Sequence, residues 1–172
     1  LFPGHPMYLY DNANAILLLS LISGRNPEML IGNHVIAAPV LKQKNMEIIP
    51  TGYMLIEGGA PTSVTYMSNT IPIPSNKHDI AICTAIAGEM LGLKLIYMDS
   101  GSGSKQHIDP VMIKRVKENI DIPLIIGGGI KDALQAREIC QAGADMIVVG
   151  NAIEKNPELI KEISNEISNI NL

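Results

Sequence analysis

An α/β fold of parallel βα units, wound as a (β/α)8 TIM barrel, is what this sequence predicts, and three observations carry it. Short runs of continuous apolar residues have the length of strands buried on both faces. Segments with helical start and stop signals alternate with them. Glycines crowd the C-terminal ends of the last three runs, where βα loops turn. Such a barrel takes at least about 200 residues, and this chain has 172. It opens on Leu1-Phe2-Pro3-Gly4, an apolar pair ahead of a turn, which reads as the tail of a strand. The expectation is a single domain over residues 1–172, the C-terminal part of a TIM barrel that lacks roughly its first two βα units.

Each element follows from a local signal. Ala15–Leu21 is the first complete strand, a continuous apolar run. Residues 26–44 read as largely helical, with Pro39 breaking or kinking the helix. Residues 47–56 form the next strand, its ladder disturbed at Pro50. Residues 57–76, rich in Gly, Pro, Ser and Thr and without a helical period, read as a long loop, and loops of that length are usually functional. Residues 77–91 are an alanine-rich helix stopped by Gly92, and residues 94–98 a buried strand. Asp109-Pro110 supplies an N-cap and first-turn proline to a helix with Ile113, Val116 and Ile120 on one face. Residues 123–126 are a strand, residues 132–142 a helix closed by Gly143, and residues 146–149 the last strand. Asn156-Pro157 caps a final helix with Ile160, Ile163 and Ile167 on one side.

Composition narrows the classes. A chain that is 47% apolar, with 15 Gly and 11 Pro, is neither disordered nor a coiled coil. A net charge of -4 argues against a nucleic-acid partner, which calls for a basic patch. No apolar run of about 18 residues is present, so no transmembrane segment is expected. Cys83 and Cys140 lie in separate helical segments without ligand spacing, as reduced thiols of a cytoplasmic protein would. His5, His34, His78 and His107 have no metal-ligand spacing either.

Candidate chemistry gathers at three strand ends: Tyr97-Met98-Asp99-Ser100-Gly101-Ser102-Gly103, Gly127-Gly128-Gly129-Ile130, and Gly150-Asn151-Ala152. In a barrel these share the rim where active sites lie. Glycines admit close backbone approach, and successive N–H groups make an anion nest. Asp99, two residues after Tyr97, is placed there to accept a proton or a hydroxyl hydrogen bond. The bland alternatives are that βα turns require glycine in any case, and that Asp99 merely caps its own loop.

Those segments, with Ser20-Leu21-Ile22-Ser23-Gly24-Arg25-Asn26-Pro27, Pro50-Thr51-Gly52-Tyr53-Met54-Leu55-Ile56 and the continuation to Ile153, stand in an order that closely resembles the geranylgeranylglyceryl phosphate synthase family, its bacterial members included. The resemblance runs over essentially the whole chain. It implies a TIM-barrel prenyltransferase that joins a polyprenyl diphosphate to the sn-3 hydroxyl of sn-glycerol 1-phosphate, giving an ether-lipid precursor and diphosphate. It implies that Tyr97, Met98, Asp99, Ser100, Gly101, Ser102 and Gly103 contact the glycerol phosphate, and that Gly128-Gly129 and Gly150-Asn151 cradle its phosphate. Asp99 and Tyr97 become the catalytic candidates, Asp99 taking the hydroxyl proton, although many members carry Glu at that position. Tyr53, Met54 and Ile56 are the candidate walls of a prenyl groove. The cofactor implied is Mg2+, with its ligands on first strands that this chain lacks, and the full-length protein is expected to be a homo-oligomer. Two other readings remain open. One is a different phosphate-binding barrel, a sugar-phosphate isomerase or an aldolase-like enzyme, although Lys94 sits on the wrong rim for a Schiff base; the other is an inactive fragment.

Overall fold

Five parallel strands make one sheet in a computed structural model that describes residues 13–170. They are β1 (Ala15–Leu21), β2 (Glu47–Leu55), β3 (Leu95–Asp99), β4 (Leu124–Gly127) and β5 (Met146–Val148), hydrogen-bonded in chain order. Strands adjacent in sequence are adjacent in space throughout. A doubly wound sheet reverses its order at a switch point, whereas a barrel wall does not, and this sheet does not. The Leu1-Phe2 strand tail and His5 lie outside the described residues.

Register and the two-residue period sort the side chains. Tyr53 pairs with Tyr97, Leu55 with Asp99, and Asp99 with Gly127. Met54, Ile96, Met98, Leu124 and Ile126 therefore face one way, into a core closed by Ala81, Ala85, Met112, Ile113, Val116 and Ile139 of the helices. Leu19, Leu21, Tyr53 and Leu55 face the other way and form a second cluster with Leu17 and Tyr97 against it.

Helices flank the sheet. They are α1 (Asn33–Gln43), α2 (Ser63–Ser68), α3 (His78–Met90), α4 (Pro110–Lys117), α5 (Ala133–Gln141), α6 (Asn151–Lys155) and α7 (Leu159–Ser168). The Asp109 cap falls where the sequence puts it, accepting the Val111 N–H at 2.9 Å. Asp132, read as the first residue of its helix, stands one residue outside α5 and caps it, accepting the Gln135 N–H at 2.8 Å.

Four expectations need correction. Pro39 does not break α1; the irregularity is a wide π turn upstream, Glu28–Gly32. The carbonyl that Pro39 deprives of a partner belongs to Val35, which is 66% exposed and open to water. Pro50 does not disturb β2: it pairs with Leu18, and its carbonyl accepts the Lys94 N–H at 2.8 Å. Its nitrogen faces that same side, ahead of the point where β3 begins, so no ladder bond is lost. Residues 57–76 are not featureless, because they contain α2 and a parallel bridge from Ile73 to Ile56; six residues are too few for a helical period to show. Finally, α7 begins after Glu158 rather than at Asn156-Pro157, with the Asn156 carbonyl accepting the Leu159 N–H. Its inward face is Leu159, Ile163 and Ile167, while Ile160 is 53% exposed.

Candidate active site

At the end of β3 the strand period turns Tyr97 and Asp99 to the same face, and Asp99 belongs to the strand itself. The space over β4 at this level is left by Gly127, where a Cβ would stand 2.6 Å from the Tyr97 hydroxyl. Tyr53, from β2, meets the Tyr97 ring edge to face at a centroid distance of 5.3 Å. Its hydroxyl donates to Asp99 Oδ2 at 2.5 Å, and the Gly101 N–H donates to Oδ1 at 2.8 Å. Asp99 thus does cap its own loop, through one oxygen only. Burial, and after it the Asp99 carboxylate, push both the Tyr53 and Tyr97 phenols above their ordinary range, so both stay protonated donors.

Gly128 and Gly129 follow at φ 80° and 70°. These positive angles suit glycine, and the absence of side chains leaves the turn open to close approach by an anion. A Cβ on Gly128 would lie 2.5 Å from Ser100 Oγ and 2.6 Å from Asp99 Oδ1, which fixes how near the turn lies to the carboxylate. The third loop is tied in by Asn151, whose Oδ1 accepts the Ser102 hydroxyl at 3.0 Å and the Gly103 N–H at 3.2 Å.

These parts surround one cleft of about 740 Å³. Tyr97, Asp99, Ser102, Gly103, Gly128, Gly129, Gly150 and Asn151 all line it. Met98 does not, because it alternates to the helix-side core and is fully buried there; Ser100 and Gly101 lie behind Asp99, and Ser100 lines a separate cavity beside residues 56–61. The proposed groove residues divide in the same way. Tyr53 faces Asp99, whereas Met54 and Ile56 point into the helix-side core, Ile56 touching the two smaller cavities.

Sequence reasoning missed Lys105 and Lys131. Both line the cleft, with the Lys131 ammonium donating to the Lys105 carbonyl at 2.6 Å. The signal was proximity, since Lys131 directly follows Gly127-Gly128-Gly129-Ile130 and Lys105 stands two residues after Gly103. Lys94 lies at the opposite end of β3 from the cleft. His107 lines another cavity with His78 and Asp109, its Nδ1 2.9 Å from the Ile108 carbonyl. Among the described residues no three His, Cys, Asp or Glu side chains gather into a donor set for a metal ion. Without such a set, the described residues do not by themselves fit magnesium.

Chemically, the cleft offers a side-chain-free glycine turn, three lysines (Lys105, Lys131 and Lys155) on its walls, and one carboxylate held from two sides. That combination suits a small phosphate ester whose free hydroxyl reaches Asp99.

The PcrB family model matches residues 1–167 of the chain. A geranylgeranylglyceryl phosphate synthase of Chitinophaga pinensis is 58% identical over 167 residues, 97% of this chain and 66% of that protein. One of Spirosoma linguale is 52% identical over 171 residues, 99% of this chain and 69% of that protein. Among solved structures, wild-type GGGPS from Thermoplasma volcanium superposes with a TM-score of 0.91 at 34% identity, covering 99% of this chain and 69% of its own. The Thermoplasma acidophilum (S)-3-O-geranylgeranylglyceryl phosphate synthase in complex with sn-glycerol-1-phosphate gives 0.86 at 32%, covering 93% and 64%. The chain spans about two thirds of the length of the curated relatives it matches.

Proposed function

This chain belongs to the PcrB family, and we propose that it carries the glycerol phosphate half of a prenyltransferase that joins a geranylgeranyl-type polyprenyl diphosphate to sn-glycerol 1-phosphate. The observation that carries the reading is a single cleft in which the Gly128-Gly129 turn adjoins the held carboxylate of Asp99. The relatives' names and the glycerol phosphate complex of the Thermoplasma acidophilum neighbour support it.

In this mechanism the phosphate rests on the N–H groups of the glycine turn and of the loop held by Asn151, with Lys105 and Lys131 alongside. The glycerol backbone then leads the free hydroxyl to Asp99. The hydroxyl oxygen forms a bond to the allylic carbon, the bond from that carbon to diphosphate breaks, and diphosphate leaves with the electron pair. The hydroxyl proton passes to Asp99, whose oxygens each keep a lone pair beyond those taken by Tyr53 and Gly101. Tyr97, half-buried between carboxylate and cleft, packs against the reacting end of the acceptor. A cytoplasmic location and a homo-oligomeric state are parts of the same proposal; no helix among the described residues is long and apolar enough to cross a membrane.

Titration calorimetry with sn-glycerol 1-phosphate, its sn-3 enantiomer and inorganic phosphate tests this reading. The sn-1 ester binds at least about tenfold more tightly than either competitor, a difference of about 1.4 kcal/mol. Equal affinity for all three would reduce the cleft to a general anion site.

A further inference from the structure

The carboxylate of Asp99 is held from two directions, and only one of them is local. The Gly101 N–H on Oδ1 belongs to the turn that follows Asp99 and would form in any loop of this shape. The Tyr53 hydroxyl on Oδ2 comes from the neighbouring strand, 46 residues away, and reaches Asp99 on the diagonal because Tyr53 is paired with Tyr97. Its ring is 2% exposed, sealed among Leu19, Leu21 and Leu55, so it has no freedom to leave. We propose that Tyr53 is a positioning residue for the proposed transfer. It fixes the Asp99 carboxylate in the orientation that faces the acceptor hydroxyl.

This inference rests on the prenyltransferase reading for the purpose of the carboxylate, but its physical content is testable without turnover. A carboxylate held at both oxygens keeps one orientation, whereas with the Gly101 N–H alone it can turn about its Cβ–Cγ bond, a soft torsion. The other titratable groups that face Asp99 are Tyr97 on its own strand and, across the cleft, Lys105, Lys131, Asp132 at the start of α5, Lys155 of α6 and Glu162 of α7. None of these forms a salt bridge with Asp99 among the described residues, and all are common to wild type and variant.

The experiment reads the orientation of the Asp99 side chain from crystal structures and its consequence from steady-state kinetics, in wild type, in Tyr53→Phe, and in a protein with 3,5-difluorotyrosine placed at position 53. In Tyr53→Phe the carboxylate turns away from its wild-type orientation and kcat falls by about tenfold or more while KM for sn-glycerol 1-phosphate stays within about twofold; the fluorinated side chain, which keeps the hydroxyl, retains the orientation and most of kcat. If Tyr53→Phe does not fold, Tyr53→Leu takes its place. An Asp99 side chain that keeps its orientation without the Tyr53 hydroxyl, or a kcat within about twofold of wild type, overturns the inference. Absence of any binding or turnover by wild type would sink the functional reading instead, and the orientation of Asp99 would still decide the part of Tyr53.

Discussion

The face of the sheet that carries Asp99 is dry over β1, β2 and β4 and wet over β5. On the first side Leu19, Leu21, Tyr53, Leu55 and Ile125 are 0–3% exposed. On the second, Met146 and Val148 are 46% and 43% exposed, and between them and Asp99 stands Gly127, which offers no side chain at all. Tyr97 and Asp99 stand on the border. The difference explains how one carboxylate can be both rigid and available: it takes a buried hydroxyl from the dry side and presents its free lone pairs to the wet side. A carboxylate wholly on the dry side would pay a desolvation penalty, and one wholly on the wet side would lose its fixed orientation.

The largest break in this contrast is removal of the basic group at the border. Asp99→Asn keeps the shape and lowers turnover by about 10²- to 10⁴-fold, measured at saturating substrates, while Asp99→Glu retains most of the rate. A near-wild-type rate for Asp99→Asn would leave Asp99 a loop cap. Next comes the dry side. Leu21→Ala, at a position with no exposed surface, lowers unfolding stability by about 2–5 kcal/mol in a denaturant titration. On the wet side, Gly128→Val puts a branched side chain against Asp99 Oδ1 at φ 80°, straining the backbone by about 1–3 kcal/mol. Glycerol phosphate affinity then falls by tenfold or more in calorimetry, with the fold preserved by circular dichroism. Asn151→Ala, which frees Ser102 and Gly103, costs about 1 kcal/mol of binding, roughly fivefold in Kd.

The smallest effect sharpens the contrast from beneath the dry side. His34 of α1 is buried against β1, its Nε2 3.2 Å from Ser20 Oγ. Burial holds its imidazole below the ordinary value, so the unfolded chain binds a proton more readily than the folded one. The contribution is therefore complete above about pH 6.5 and is lost as pH falls through the lowered folded value. His34→Gln flattens that slope in thermal melts between pH 7 and 5; an unaltered slope would assign it to other groups.

Strand ends, the Asp109 cap and the glycine segments were legible because each is a local signal. The parity within β3 was legible too, since Tyr97 and Asp99 are two residues apart. What joins Tyr53 to Asp99 is register between strands, which no single segment encodes, and that is why Tyr53 was read as a groove wall beside Met54. The burial of Met98 has another cause: the pleat that turns Tyr97 and Asp99 to the cleft turns the residue between them away, and a segment read as one contact surface passes over that alternation. Pro39 and Pro50 misled for a related reason, since the cost of a missing N–H depends on what lies opposite, and solvent or an unoccupied strand edge lies there.

Amide chemical-shift mapping with sn-glycerol 1-phosphate tests the central claim most directly. On titration, the N–H signals of Gly103, Gly128, Gly129 and Asn151 shift together and saturate at one concentration, while those of Met54 and Met98 on the opposite face of the sheet stay in place. Shifts centred on His78 and His107 in the neighbouring cavity, or none at the glycine turn, would contradict the account.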